Sequence, residues 1–200
     1  MPAHARGRHG NPTDLDAMIK RQLDPKRAAW QKPDTVVRRL GLRRGDVVAE
    51  IGSGPGYFTV RLARAVGSAG HVYAVDPEPA LLGALRDRLD GVRNVTPVLG
   101  RPNDPMLPPG RCRVALIVNA YHHFEKPVPY LRALARLLAP GGRLVNVDWD
   151  ARETPVGPPV ERRIPRDAFL RDAARAGLTL VGEDRFLPYQ YFLVLRRRER

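Results

Sequence analysis

The chain has 200 residues, a hydrophobic fraction of 43%, one cysteine and a formal net charge of +13. That length and composition suit a single α/β domain with a sizeable core. They exclude a membrane-spanning helix, since no apolar run approaches the ~20 residues one needs. They also exclude an internal disulfide or a multi-cysteine metal site, since Cys112 stands alone.

The charge admits nucleic acid or an acidic membrane surface as a partner. Only Lys20, Lys26, Lys32 and Lys126 are lysine, so 30 of the 34 basic residues are arginine. Arginine use with Ala, Gly and Pro at this level is what a GC-rich genome produces. Apart from Arg196-Arg-Arg-Glu-Arg200 the arginines are scattered, which favours a solvated basic surface.

Residues 1–12 read as a disordered basic tail without the apolar core of a signal peptide. Thr13 or Asp14 caps a helix through Leu23. Pro25 opens a second helix, which carries Trp30, breaks near Pro33, resumes over 34–40 and stops at Gly41. Residues 13–40 are thus expected to form a helical lid on a core of residues 41–200. Strands are expected at 47–51, 71–75, 95–99, 114–118 and 143–147. Helices fall between them at 57–66, 79–89 and 128–138, the last stopped by Pro140-Gly-Gly. A Pro-rich connection over 150–165 leads to a helix at 165–176 and two strands at 179–183 and 190–195. Strand–helix alternation up to residue 147 predicts a doubly wound parallel sheet. The short link between the last two strands permits only a hairpin, so one strand runs antiparallel.

The chemistry concentrates after the first strand. Val47-Val-Ala-Glu-Ile-Gly-Ser-Gly-Pro-Gly56 is an apolar run ending in an acid and a glycine-rich turn, under which a nucleotide-like ligand can lie against bare backbone. Position 57 is Tyr where the dinucleotide fingerprint needs glycine, and no G-x-x-x-x-G-K-[ST] occurs, so NAD, FAD and P-loop phosphates fit poorly. Glu50 at the strand end repels a pyrophosphate and attracts a cation. Asp76, at the end of the second strand and followed by Pro77, suits a ribose diol. A ribose-bearing cation without phosphate is S-adenosylmethionine.

These residues resemble the class I S-adenosylmethionine-dependent methyltransferases. Glu50-Ile-Gly-Ser-Gly-Pro-Gly56 is similar to the family's (D/E)-x-G-x-G-x-G motif, and Leu137-Leu-Ala-Pro-Gly-Gly-Arg-Leu-Val145 to the motif before its fifth strand. The resemblance covers about residues 35–197. It implies a Rossmann-like sheet of seven strands in the order 3-2-1-4-5-7-6 with strand 7 antiparallel. It also implies S-adenosylmethionine as cofactor, with S-adenosylhomocysteine as product. Its cofactor-binding residues map onto Glu50, Gly52, Ser53, Gly54, Gly56, Asp76, Pro77 and Asn119. Where relatives place Gly-Asp after strand three, this chain has Gly100-Arg-Pro-Asn-Asp104, which leaves Asn103, Asp104 or a backbone carbonyl for the adenine amino group.

Asn119-Ala-Tyr-His-His-Phe124 follows strand four at the sheet's carboxyl edge. His122 or His123 is a candidate base, with pocket lining and packing as the alternative roles of the pair. Trp30, Tyr121, His122 and Tyr189 are the expected walls of an acceptor pocket. No metal site is expected, because adjacent histidines diverge and no third ligand stands out.

The reading is methyl transfer to a small molecule in the cytoplasm. Its alternatives are a nucleic-acid methyltransferase and a non-catalytic binder of the cofactor. The blocks Trp30-Gln-Lys-Pro33 and Leu187-Pro-Tyr-Gln-Tyr191 resemble a small stand-alone bacterial branch. Sequence leaves the acceptor and the oligomeric state open.

Overall fold

A computed structural model describes residues 14–198; the basic tail and Thr13 lie outside the described residues. Seven strands form one sheet in the order β3-β2-β1-β4-β5-β7-β6. They are β1 (Val47–Ile51), β2 (His71–Asp76), β3 (Val95–Leu99), β4 (Cys112–Val118), β5 (Leu138–Trp149), β6 (Leu178–Asp184) and β7 (Gln190–Arg197). The β1, β2, β3, β4 and β5 pairings are parallel, whereas β7 runs antiparallel to both β5 and β6. The expected order and the terminal hairpin are therefore both present.

The central strands are apolar on both faces because helices cover both. Ala115 and Ile117 of β4 face one core with Leu131 and Leu134 of α6 (Pro127–Leu137) and Phe169 of α7 (Arg166–Arg175). Val114 and Leu116 face the other, with Val36 and Val37 of α3 (Pro33–Arg39) and Leu62 and Val66 of α4 (Thr59–Val66). A third group joins Ala74 of β2 to Leu82 and Leu85 of α5 (Pro79–Asp87). Pro97 sits in β3, the edge strand, where its missing N–H costs no ladder bond.

Most elements differ from the expected bounds by a residue or more, and three of these differences have a clear local origin. The helix expected from Tyr57 begins at Thr59, because Tyr57 and Phe58 still belong to the turn that follows Gly56. The turn expected at Pro140-Gly-Gly lies inside β5. Leu138 already pairs with Cys112, and the register then jumps to Val114 opposite Arg143. The first strand of the hairpin is longer than expected by a residue at each end, with Leu178 buried against the α6–α7 core.

The N-terminal segment consists of α1 (Leu15–Leu23), a single 3-10 turn at Pro25–Arg27, α2 (Ala28–Gln31) and α3. Asp14 caps α1 by accepting from Ala17 N at 2.9 Å. Lys32 adopts a left-handed conformation (φ 43°) that separates α2 from α3 and puts Pro33 at the first turn of α3. Among the described residues no helix is long and apolar enough to cross a membrane.

Candidate active site

Parallel strands in a doubly wound sheet present their carboxyl ends to ligands where the strand order reverses, here between β1 and β4. The turn after β1 is tied to β2 by Gly52 N and Ser53 N, which both donate to Val75 O at 2.8 and 3.1 Å. Gly52 has φ 75°, and a Cβ added there would lie 2.5 Å from the Ala120 Cβ. Glycine thus lets the turn lie against the segment after β4. Over the other side of the turn rests Gln22 of α1, whose side chain fills the space beside Gly54.

Asp76 is buried, and each carboxylate oxygen holds one backbone N–H: Gly54 N donates to Oδ2 at 2.8 Å and Glu78 N to Oδ1 at 3.0 Å. A carboxylate offers about four lone-pair sites, so two remain for a diol. Burial raises its pKa, and the two N–H donors oppose the rise. Glu50 is 3% exposed, and its Oε2 accepts from Thr59 Oγ1 at 2.6 Å. Burial pushes its pKa up to about 8, against the lowering effects of the Thr59 hydroxyl and Arg27. Ser53 Oγ and Tyr57 Oη are buried at the same turn without a hydrogen-bond partner. The turn therefore combines a buried carboxylate with two unmet hydroxyls, a combination that suits a polar, cationic ligand.

Pro77 is exposed beside Asp76. Asp104 is exposed, and its turn is closed by backbone bonds to Arg101 at 2.8 and 3.2 Å, while its Oδ1 accepts from Met106 N at 2.8 Å. The turn starts beside Asp76, where Gly100 N donates to Asp76 O at 3.1 Å.

Asn119 has φ 53°, a conformation asparagine tolerates better than most residues. It belongs to a ring of three amides. Gln31 Nε2 donates to Gln190 Oε1 at 2.7 Å, Gln190 Nε2 donates to Asn119 Oδ1, and Asn119 Nδ2 returns to Gln31 Oε1 at 3.3 Å. The blocks around Trp30 and Tyr189, singled out separately in the sequence, thus meet through their glutamines. Lys32 Nζ reinforces the junction by donating to Phe186 O at 2.8 Å. Arg27 is attached to the ring too, its Nη2 donating to Gln31 Oε1 at 2.8 Å and its guanidinium lying 4.1 Å from the Tyr57 ring centroid. Burial lowers its pKa to about 10.

The residues after Asn119 diverge. Tyr121 was expected to wall a pocket, but it is fully buried. Its ring packs edge-on against Phe169 at 4.8 Å and its hydroxyl donates to Asp172 Oδ2 at 2.6 Å. The 3-10 turn Tyr121–His123 points this ring into the α6–α7 core, and an aromatic with one polar end is satisfied there. His122 is half-buried, its Nδ1 lying 3.4 Å from Asp148 Oδ1 and 3.5 Å from Oδ2. His123 is exposed, its ring centroid 4.1 Å from that of His122. Trp30 lies against Trp149 with centroids 4.8 Å apart. Tyr189 is half-buried, and its carbonyl accepts from Asp150 N at 3.0 Å.

Sequence reasoning did not single out Arg27, Thr59 or Asp148, and it named Gln31 and Gln190 only within their blocks. Thr59 stands nine residues after Glu50, and a polar residue on the inner face of α4 was its one signal. The Pro-rich connection that follows β5 is held by Arg163, which is 3% exposed. Its guanidinium donates to the carbonyls of Pro158, Asp150 and Arg152 at 2.9, 3.1 and 2.7 Å.

Residues 48–142 match a family model described as a methyltransferase domain. The chain is 34% identical over 141 residues to a protein-L-isoaspartate O-methyltransferase of Ignicoccus hospitalis, covering 65% of this chain and 64% of that one. It is 33% identical over 112 residues to a ubiquinone/menaquinone biosynthesis C-methyltransferase of Azotobacter vinelandii, covering 54% and 44%. In both cases the chain spans less than two thirds of the relative's own length. The solved structure of an S-adenosylmethionine-dependent methyltransferase from Aquifex aeolicus superposes with a TM-score of 0.86 at 25% identity, covering 91% of this chain and 97% of that one. With the glycine turn, Asp76 and the 3-2-1-4-5-7-6 sheet in place, these likenesses support a class I S-adenosylmethionine-dependent methyltransferase.

Proposed function

We propose that this protein transfers the methyl group of S-adenosylmethionine to a small-molecule acceptor in the space bounded by the glycine turn, His122 and the Trp30–Trp149 pair. The observation that carries the reading is Glu50, a carboxylate at the end of β1 whose pKa burial pushes up to about 8. The cofactor's tail supplies an ammonium group that this carboxylate attracts. Asp76 keeps two lone-pair sites for ribose hydroxyls, and Ser53 Oγ and Tyr57 Oη offer further polar contacts. Asn119 would face the amino-acid end, Gly52, Gly54 and Gly56 would give the backbone approach, and Asp104 would stand at the adenine end. When bound, the cofactor supplies an electrophilic methyl carbon. The residues of the chain bind and orient it and exclude water, and orientation alone is worth about 7–11 kcal/mol.

The helices over residues 15–39 would act as a lid. Gln22 covers the glycine turn, and the amide ring fastens α2 to β4 and β7. A small acceptor is supported by the aromatic Trp30–Trp149 wall and by the absence of an (N/D/S)-P-P-(Y/F) motif at Asn119-Ala-Tyr-His. Nucleic acid is the second reading. It is favoured by a cavity of about 450 Å³ lined by Arg132, Arg136, Arg197 and Arg198. That cavity lies at the end of β7, on the edge of the sheet opposite the glycine turn. RNA affinity that falls steeply with salt would favour this second reading, and no binding at low salt would remove it. Calorimetry with S-adenosylmethionine and S-adenosylhomocysteine tests cofactor use, and cofactor binding with no turnover on any acceptor would favour a non-catalytic binder.

A further inference from the structure

His122 and Asp148 come from different elements and meet at the carboxyl edge of the sheet. Asp148 is the last residue but one of β5 and is 1% exposed. Its Oδ1 accepts from Trp149 N at 2.9 Å. Among the described residues its one ion-pair partner is His122. A carboxylate this deeply buried gains from a cation forming beside it, and His122 is the neighbour that can become one. The ring is also fixed in place. Tyr121 before it and Phe124 after the turn are buried in the α6–α7 core, so the turn between them cannot swing freely. Two residues earlier, Ala120 touches the glycine turn at Gly52, and the residue after Asp148 is Trp149 of the aromatic wall. The pair therefore stands between the cofactor turn and the proposed acceptor space. Titratable groups beside it include His123, its ring tilted by 42° to that of His122, and Tyr191 of β7, whose buried phenol feels Asp148 and stays protonated.

We propose that Asp148 holds His122 with its proton on Nδ1 and its Nε2 free as a general base, and that the acceptor is accordingly a hydroxyl or N–H compound that arrives protonated. The proposal rests on the methyl-transfer reading and makes it narrower. His122 Nε2 takes the acceptor's proton as the acceptor lone pair bonds to the methyl carbon. The carbon–sulfur bond breaks and its electron pair returns to sulfur, leaving a neutral thioether. The imidazolium, stabilised by Asp148, then passes its proton to water, and Asp148 stays ionised throughout. Asp148 is a positioning residue, because it acts through His122. Of the two histidines, His122 is the one whose Nδ1 the structure sets beside the Asp148 carboxylate.

The test is a long-range ¹H–¹⁵N NMR titration of histidine-labelled protein, with and without S-adenosylhomocysteine. Neutral His122 is expected to carry its proton on Nδ1. In Asp148→Asn the Nε2–H form should appear. A wild-type His122 protonated on Nε2, or a tautomer unmoved by Asp148→Asn, overturns the proposal. The second arm measures transfer of labelled methyl to 4-methylumbelliferone, a phenol, and to thiophenol, which is already ionised near neutral pH. Asp148→Asn should slow phenol methylation at least ~tenfold. Thiol methylation that is pH-flat and indifferent to Asp148→Asn, with no phenol methylation, overturns the acceptor class. S-adenosylhomocysteine affinity should be equal in wild type and Asp148→Asn, which also shows the variant is folded. Failure of the wild type to bind it overturns the methyl-transfer reading, a result distinct from a wrong tautomer.

Discussion

Gly54 donates its backbone N–H to Asp76 Oδ2 at 2.8 Å, so the turn after β1 and the end of β2 form one rigid unit. The bond leaves Asp76 in a fixed orientation with lone pairs to spare. Asp76→Ala would leave the Gly54 and Glu78 N–H groups without their acceptor. The expected cost is about 1–3 kcal/mol of stability. S-adenosylhomocysteine affinity should drop by about tenfold or more, the worth of one charge-assisted contact. Urea unfolding and calorimetry read the two effects separately.

Gly52→Ala tests the contact between the turn and the segment after β4. The new methyl would lie 2.5 Å from the Ala120 Cβ, at a φ of 75° that alanine resists. Overpacking of this kind costs about 1–3 kcal/mol. The double variant Gly52→Ala with Ala120→Gly should regain part of that loss, because the clash goes and the dihedral strain stays. Denaturant midpoints of the four proteins form the cycle. Additive losses would show that the two residues do not touch.

Glu50 makes the cofactor-free protein pH-sensitive. Its folded pKa, raised to about 8 by burial, lies above the ordinary value of 4.5. The folded state therefore binds more protons than the unfolded one between those two values. Stability from this group is complete below pH 4.5 and is lost as pH rises through about 8. Glu50→Gln should flatten that decline. Cofactor binding should favour the ionised form, so it should release protons near neutral pH and tighten as pH rises towards 8. Calorimetry in buffers of different ionisation enthalpy detects the release, which Glu50→Gln should abolish.

Tyr121 belongs to the core. Tyr121→Phe removes a 2.6 Å hydrogen bond to Asp172 and leaves that carboxylate, 15% exposed, partly unsatisfied. A hydrogen bond to a charged group is worth about 1.5–3 kcal/mol, and stability should fall by that order. S-adenosylhomocysteine affinity should not change. A selective loss of affinity would return Tyr121 to the ligand site.

Much of the cofactor end was legible because its signals are local. Glu50, the three glycines and Asp76 owe their places to strand ends and turn dihedrals, which nearby residues dictate. The acceptor end was not legible to the same degree. Which way Tyr121, His122 and His123 point depends on a 3-10 turn whose direction is set by Phe169 and Asp148, 48 and 26 residues further along the chain. Gln31 and Gln190 meet across 159 residues, a pairing that neither block announces alone. The start of β5 was misplaced because Pro140-Gly-Gly is a sound turn signal, and the strand absorbs the turn as an irregularity opposite Cys112 and Val114.

Calorimetric titration of the wild-type protein and Gly54→Val with S-adenosylhomocysteine tests the central claim most directly. The wild type should bind one equivalent. Gly54→Val should bind none while remaining folded, because a side chain there meets Gln22 and stands where the ligand would approach. Equal affinity in the two proteins, or no binding to the wild type, would contradict the assignment of the turn at 52–56 as the cofactor site.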